Sequence, residues 1–135
     1  LKYISFLLPT GDFYSTENEA DYARFQNSDL GTGIIKLREK ILSNDALTDK
    51  IRKKYLTKNT VGYSLNAFLD FVHPLDIFAH LLIGAEGTLA FISEAVLNTV
   101  PDYPYKSTAL LYFNSISDAC HAIVPLRDSG AEAIE

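Results

Sequence analysis

Aromatic and branched residues crowd the opening stretch, and Lys2 to Leu8 reads as a strand closed by Pro9 and Gly11. Asp12 to Ser15 supplies its hairpin partner. Thr16-Glu17-Asn18-Glu19 matches a capping box, a hydroxyl followed three residues later by Glu, and predicts a short helix through about Phe25. The glycines of LGTG at 30–33 interrupt it. Thr32 then caps a second helix, IIKLREKILS, with Ile34, Leu37 and Ile41 on one face and Lys36, Glu39 and Lys40 turned away. Asn44 or Asp45 caps a third, ALTDKIRKKYL, whose apolar stripe is Leu47, Ile51 and Tyr55. The cluster Arg52-Lys53-Lys54 is most simply its solvated face.

From residue 58 the pattern loosens. Asn59, Thr60 and Gly62 make a turn, and Ser64 or Asn66 starts a short helix. Pro74 suits the first position of the next helix, PLDIFAHLLIG, which Gly84 ends. Leu89 to Val100 alternates in two registers and predicts a long strand with at least one buried face. After the connector PDYP, Thr108 to Phe113 reads as a strand. Ser115 or Ser117 caps a helix that Pro125 kinks or shortens and Gly130 breaks, and Ala131 to Glu135 starts a last strand. Strands and helices in this order make an α+β layout, with an antiparallel sheet and flanking helices, not a regular βαβ alternation.

Composition narrows the function classes. A chain of 135 residues, 47% hydrophobic and 21% charged, is a globular domain with a real core. The net charge of −5 argues against a nucleic-acid partner, which selects basic faces. The single cysteine, Cys120, excludes an internal disulfide and a cysteine-based metal site, and reads as a small buried residue in a reducing, cytoplasmic setting. No apolar stretch approaches the length of a membrane span, so any membrane contact would be peripheral, at the inner face. The absence of Met, the start at Leu1 and the cut-off strand GAEAIE read as a piece of a longer polypeptide.

Two loops carry the candidate chemistry. In Gly84-Ala85-Glu86-Gly87-Thr88, two glycines bring several backbone N–H groups close together, where they can hold a phosphate or the polar edge of a planar heterocycle. Glu86 can accept a bond from a neighbouring N–H or a ligand hydroxyl. Taken alone, G-x-x-G in a turn is usually only a turn. The loop Asn59 to Ser64 has the same character: Gly62 allows close approach and Tyr63 offers a ring, or the two are a helix-opening turn and a half-buried core residue.

The two stretches together, KNTVGYSLNAFLDF at 58–71 and LLIGAEGTLAFISE at 81–94, resemble a family of FAD-dependent oxidoreductases. These are the D-lactate dehydrogenase and glycolate oxidase flavin subunits of the vanillyl-alcohol-oxidase (VAO/PCMH) type. The subgroup fused to an iron–sulfur module resembles the chain most, through Ala90 and the approach Lys54-Tyr55 to Lys58-Asn59-Thr60. The joined motifs span roughly 52–101, and the hairpin P-T-G-D-F-Y and the strand near 110 resemble the flanking parts.

The resemblance implies the second subdomain of an FAD-binding domain over 1–101 and the beginning of the substrate (cap) domain over 102–135. It implies that Gly84, Glu86 and Gly87, with Thr88 in the same loop, sit beside the pyrophosphate, ribose or adenine of FAD. Phe91 would offer its backbone N–H and C=O to the adenine edge, and Gly62 and Tyr63 would lie near the cofactor or support that loop. Ala85 and Ala90 depart from the commoner Ser and Gly, losing one hydroxyl donor and one tight backbone approach.

The expected partners are a 2-hydroxy acid, an electron acceptor and the remainder of the same chain, with iron–sulfur clusters elsewhere in it. The exposed face left by the missing half predicts a dimer of the isolated piece. The family's metal-binding histidine pair and substrate arginine would follow Glu135, and its phosphate loop would precede Leu1. No catalytic or metal-binding residue is assigned here. His73 reads as a helix-start residue, and His80 and His121 as helix-face residues. The rival reading is a non-enzymatic α+β interaction module whose glycine loops are only turns.

Overall fold

A computed structural model describes every residue except Thr60. The chain divides into two compact units, Leu1–Thr99 and Val100–Glu135.

The first unit is built on a three-stranded antiparallel sheet in the order β2-β1-β3: β1 (Tyr3–Leu7), β2 (Phe13–Ser15) and β3 (Phe91–Val96). The expected hairpin forms, with Phe6 opposite Tyr14 and Leu7 opposite Phe13. Its turn is closed by Leu8 N–H donating to the Asp12 carbonyl at 2.9 Å. Side-chain alternation sends Ile4 and Phe6 of β1 into the core, joined by Leu8 beyond the strand. There Phe6 meets Phe78 with ring centroids 5.2 Å apart, and Tyr14 meets Phe25 edge-on at 5.0 Å.

Between β2 and β3 run α1 (Glu19–Gln26), α2 (Asp29–Leu42), α3 (Asp45–Lys54), α4 (Ala67–Asp70) and α5 (Pro74–Leu82). Apart from Asp76 and His80, α5 is buried on all sides, as its nearly continuous apolar sequence demands. Pro74 occupies its first turn, and His73 Nδ1 accepts the Leu75 N–H at 3.2 Å. Asn44 caps α3 by accepting from Leu47 N–H at 3.0 Å.

Two expected caps are displaced. Thr16 does not cap α1: its hydroxyl accepts the Ile4 N–H at 2.9 Å and so extends the hairpin, while Asn18 caps the helix through Ala20 N–H. Nor do the LGTG glycines interrupt or Thr32 open α2. Ser28 caps it, accepting from Gly31 N–H at 3.0 Å, and both glycines lie inside the helix. Tight packing explains the helical glycine: a Cβ on Gly31 would stand 2.0 Å from the Phe25 carbonyl oxygen.

Of the expected stripes, Ile34, Ile41 and Ile51 are buried and Tyr55 packs on the core, but one residue of each helix departs. Leu37 and Leu47 are exposed, whereas Thr48 is buried and donates to the Ile41 carbonyl at 3.0 Å. Arg38 lies across to the segment between α4 and α5, its Nε donating to the Phe71 carbonyl at 2.9 Å.

The strand expected over Leu89 to Val100 is shorter, Phe91–Val96, and its side chains are largely exposed. It pairs with β1 through a bulge between Ser5 and Phe6, and Ser93 Oγ donates to the Ser5 carbonyl at 3.1 Å. Alternation reports what a strand is able to bury, not whether a layer covers it.

The second unit holds α6 (Ile116–Asp128), capped by Ser115 accepting from Asp118 N–H at 3.1 Å. The helix runs on through Pro125. The strands expected at 108–113 and 131–135 do not form among the described residues. Cys120 is exposed, contrary to the buried position expected of it. Among the described residues, no helix is long and apolar enough to cross a membrane.

Candidate functional site

The loop from Gly84 to Ala90 links the end of α5 to β3. The N–H of Ala85 donates to the Leu82 carbonyl at 3.2 Å, so the chain turns away directly after the helix. Gly84 and Gly87 take φ values of 73° and 74°, and Gly62 in the other loop takes 71°.

The two loops meet through side chains. The hydroxyl of Tyr63 is hydrogen-bonded to that of Thr88. Beneath it, Tyr55 closes α3 and braces the 61–65 segment: its Oη donates to the Tyr63 carbonyl at 2.8 Å and accepts the Leu65 N–H at 2.9 Å. Tyr55 and Tyr63 are both half-buried and packed on the core. Asn59 Nδ2 donates to the Val61 carbonyl at 3.1 Å. Thr60, expected in the same turn, lies outside the described residues.

An open groove of about 760 Å³ runs beside this junction. One wall is the β1–β2 turn, with Leu7, Leu8, Pro9 and Gly11; the other is Leu82, Ala85 and the run from Gly87 to Ile92. A second groove of about 560 Å³ shares Leu8, Pro9, Thr88 and Leu89 and reaches Ser28, Asp29 and Leu30 at the start of α2. The walls are mostly apolar. Among the described residues, no Lys, Arg or His lines either groove.

Of the candidate residues, Gly87, Thr88 and Phe91 line the first groove, and Tyr63 reaches it through Thr88. Gly62 neighbours Tyr63, while Gly84 and Glu86 do not line either groove, and Glu86 is exposed. Phe91 stands opposite Leu7 at the start of β3, its side chain 69% exposed. Since β3 ends the sheet order, its outer edge has no partner strand among the described residues. Such an edge presents backbone N–H and C=O groups.

The histidines fall outside the grooves. His73 caps α5, His80 stacks on Phe71 with centroids 3.8 Å apart, and His121 lies in α6.

No family model, curated protein or solved structure matches the chain.

The arrangement suits an uncharged planar ring: apolar walls, a hydroxyl at Thr88 and glycine backbone at the rim. It offers no cation to a phosphate, so a dinucleotide would need its charges met elsewhere. Two contributors escaped the sequence reading. The β1–β2 turn forms a whole wall, although its Pro-Thr-Gly signals only a turn. Tyr55 was expected only as part of an apolar stripe; nothing in a helical period says where a phenol hydroxyl ends.

Proposed function

We propose that this chain belongs to an FAD-dependent 2-hydroxy-acid dehydrogenase or oxidase of the D-lactate or glycolate type. It contributes one part of the FAD site, as the second subdomain of a VAO/PCMH-type domain, and residues 102–135 begin the substrate domain. Bound FAD would supply the two-electron oxidant for hydride removal from the substrate's α-carbon, the electrons then leaving to an acceptor or an iron–sulfur centre elsewhere in the protein.

One observation supports the reading most. The two motif-bearing loops, distant in sequence, meet at the Tyr63–Thr88 hydrogen bond on the rim of an apolar groove. Gly87, Thr88 and the β1–β2 turn would hold the neutral ring portion of the cofactor, while Phe91 supplies backbone at the sheet edge. The pyrophosphate would need its charge met outside these grooves, which no Lys, Arg or His among the described residues lines. The work of the groove-lining residues would be to bind, orient and exclude water.

The test is the visible absorption of the full-length protein purified without ligand loss. A flavin spectrum and reduction by a D-2-hydroxy acid are expected. A colourless protein that takes up no added FAD overturns the reading.

A second reading has its own observation. Phe13, Leu7 and Phe91 form a row across the outer sheet face, each exposed, in the β2-β1-β3 register. A non-enzymatic module would use such a row to dock a partner. Phe13 belongs to this row but lines neither groove, so Phe13→Lys would abolish docking in that case while leaving any flavin content untouched.

A further inference from the structure

We infer that Tyr55 is a positioning residue for the groove, acting on Thr88 through Tyr63. The inference rests on the flavin reading for the identity of the ligand, but not for the coupling itself.

Hydrogen bonds connect Tyr55 to Thr88 by way of Tyr63. Tyr55 lies at the C-terminal end of α3, whose Ile51 is anchored in the core, so the start of the chain of contacts is rigid. Its hydroxyl uses its proton on the Tyr63 carbonyl and a lone pair on the Leu65 N–H, at 2.8 and 2.9 Å. The same Leu65 N–H also reaches the Tyr63 carbonyl at 2.9 Å, so three groups clamp one turn. Gly62, at φ 71°, directly precedes that turn, in a backbone region that glycine adopts without strain. Fixing the backbone of Tyr63 aims its phenol, and the phenol holds the Thr88 hydroxyl on the groove wall. Thr88 is exposed and borders both grooves, so a shift there alters the two together.

Tyr55 itself lines neither groove, and a role confined to packing α3 would leave Thr88 indifferent to its hydroxyl. The full-length protein distinguishes the two roles. Tyr55→Phe keeps the ring and deletes the hydroxyl. The expected result is an FAD affinity lowered about tenfold, the scale of one or two lost hydrogen bonds. In denaturant unfolding, Tyr55→Phe and Thr88→Val should be non-additive, although the residues do not touch. Tyr63→Phe, which breaks only the contact to Thr88, should reproduce the affinity loss, and Tyr55→Phe should add little to it. This variant also serves if Tyr55→Phe fails to fold.

Additive stabilities with unchanged FAD affinity overturn the inference. Non-additivity in a protein that binds no FAD keeps Tyr55 as the brace of Thr88 and overturns the flavin reading alone.

Discussion

A Cβ built on Gly31 would stand 2.0 Å from the carbonyl oxygen of Phe25 and 2.8 Å from its carbonyl carbon. The last turn of α1 therefore rests directly on the first turn of α2. Backbone atoms cannot rotate aside as a side chain does. Gly31→Ala should cost at least about 2 kcal/mol, overpacking outweighing the better helix propensity of Ala. Gly33, in the same helix, has nothing within 4 Å of its Cβ direction. Gly33→Ala should be neutral or stabilise by up to about 1 kcal/mol. Urea unfolding midpoints of the two variants check the contrast, and equal effects would refute it.

Asp21 is a buried carboxylate with two tasks. One oxygen accepts the Ser15 N–H at 2.9 Å, and the other meets Arg24 at 2.8 Å. Arg24 is half exposed and also lies 4.1 Å over the Tyr14 ring. Asp21→Ala leaves the Ser15 N–H without its acceptor and should cost about 2–3 kcal/mol. Asp21→Asn can keep that bond and loses mainly an exposed-side ion pair, so about 1 kcal/mol is expected. The order of the two variants in thermal unfolding decides whether the backbone bond or the charge pair dominates.

Tyr22 ties α1 to α5, its hydroxyl donating to Asp76 at 2.9 Å. Burial, with that bond and the charge of Asp76, raises its pKa from 10.0 to about 12. A group whose pKa is raised by folding stabilises the fold fully below its unfolded value and loses that contribution as the pH rises through the folded value. Stability from Tyr22 is therefore intact below pH 10 and declines between about 10 and 12. Tyr22→Phe should lower stability at neutral pH and flatten that alkaline decline. Ultraviolet titration of the phenolate, compared with the variant, reads the shift directly.

Local chemistry made much of the fold legible. The hairpin, the Pro74 and Asn44 helix starts and the Ser115 cap each depend on a few adjacent residues. What failed depended on neighbours distant in sequence. Two sets of backbone N–H donors compete for the Thr16 hydroxyl, and the Ile4 amide across the hairpin wins over those of the helix. Gly31 reads as a helix breaker until Phe25 is placed beside it. The alternation over Leu89 to Val100 is real, yet no layer buries most of β3. At the site, the glycines and Thr88 were visible as a loop. The groove was not, because its other wall is the β1–β2 turn, brought there by sheet register.

Gly87 lies at φ 74° on the groove wall, and nothing stands within 4 Å of its Cβ direction. Its demand on stability is conformational: an Ala there should cost about 1–2 kcal/mol for the left-handed backbone, while Asn, which tolerates that region better, should cost less. Its demand on a ligand is different, because either side chain stands where an incoming ring would press on bare backbone. The two variants thus separate turn from site. If Gly87 serves a bound flavin, Gly87→Asn restores most of the unfolding midpoint yet weakens FAD binding about as much as Gly87→Ala does. If both stability and FAD affinity return with Asn, the glycine is needed only for the turn, and the groove wall at Gly87 is not a surface on which the cofactor lies.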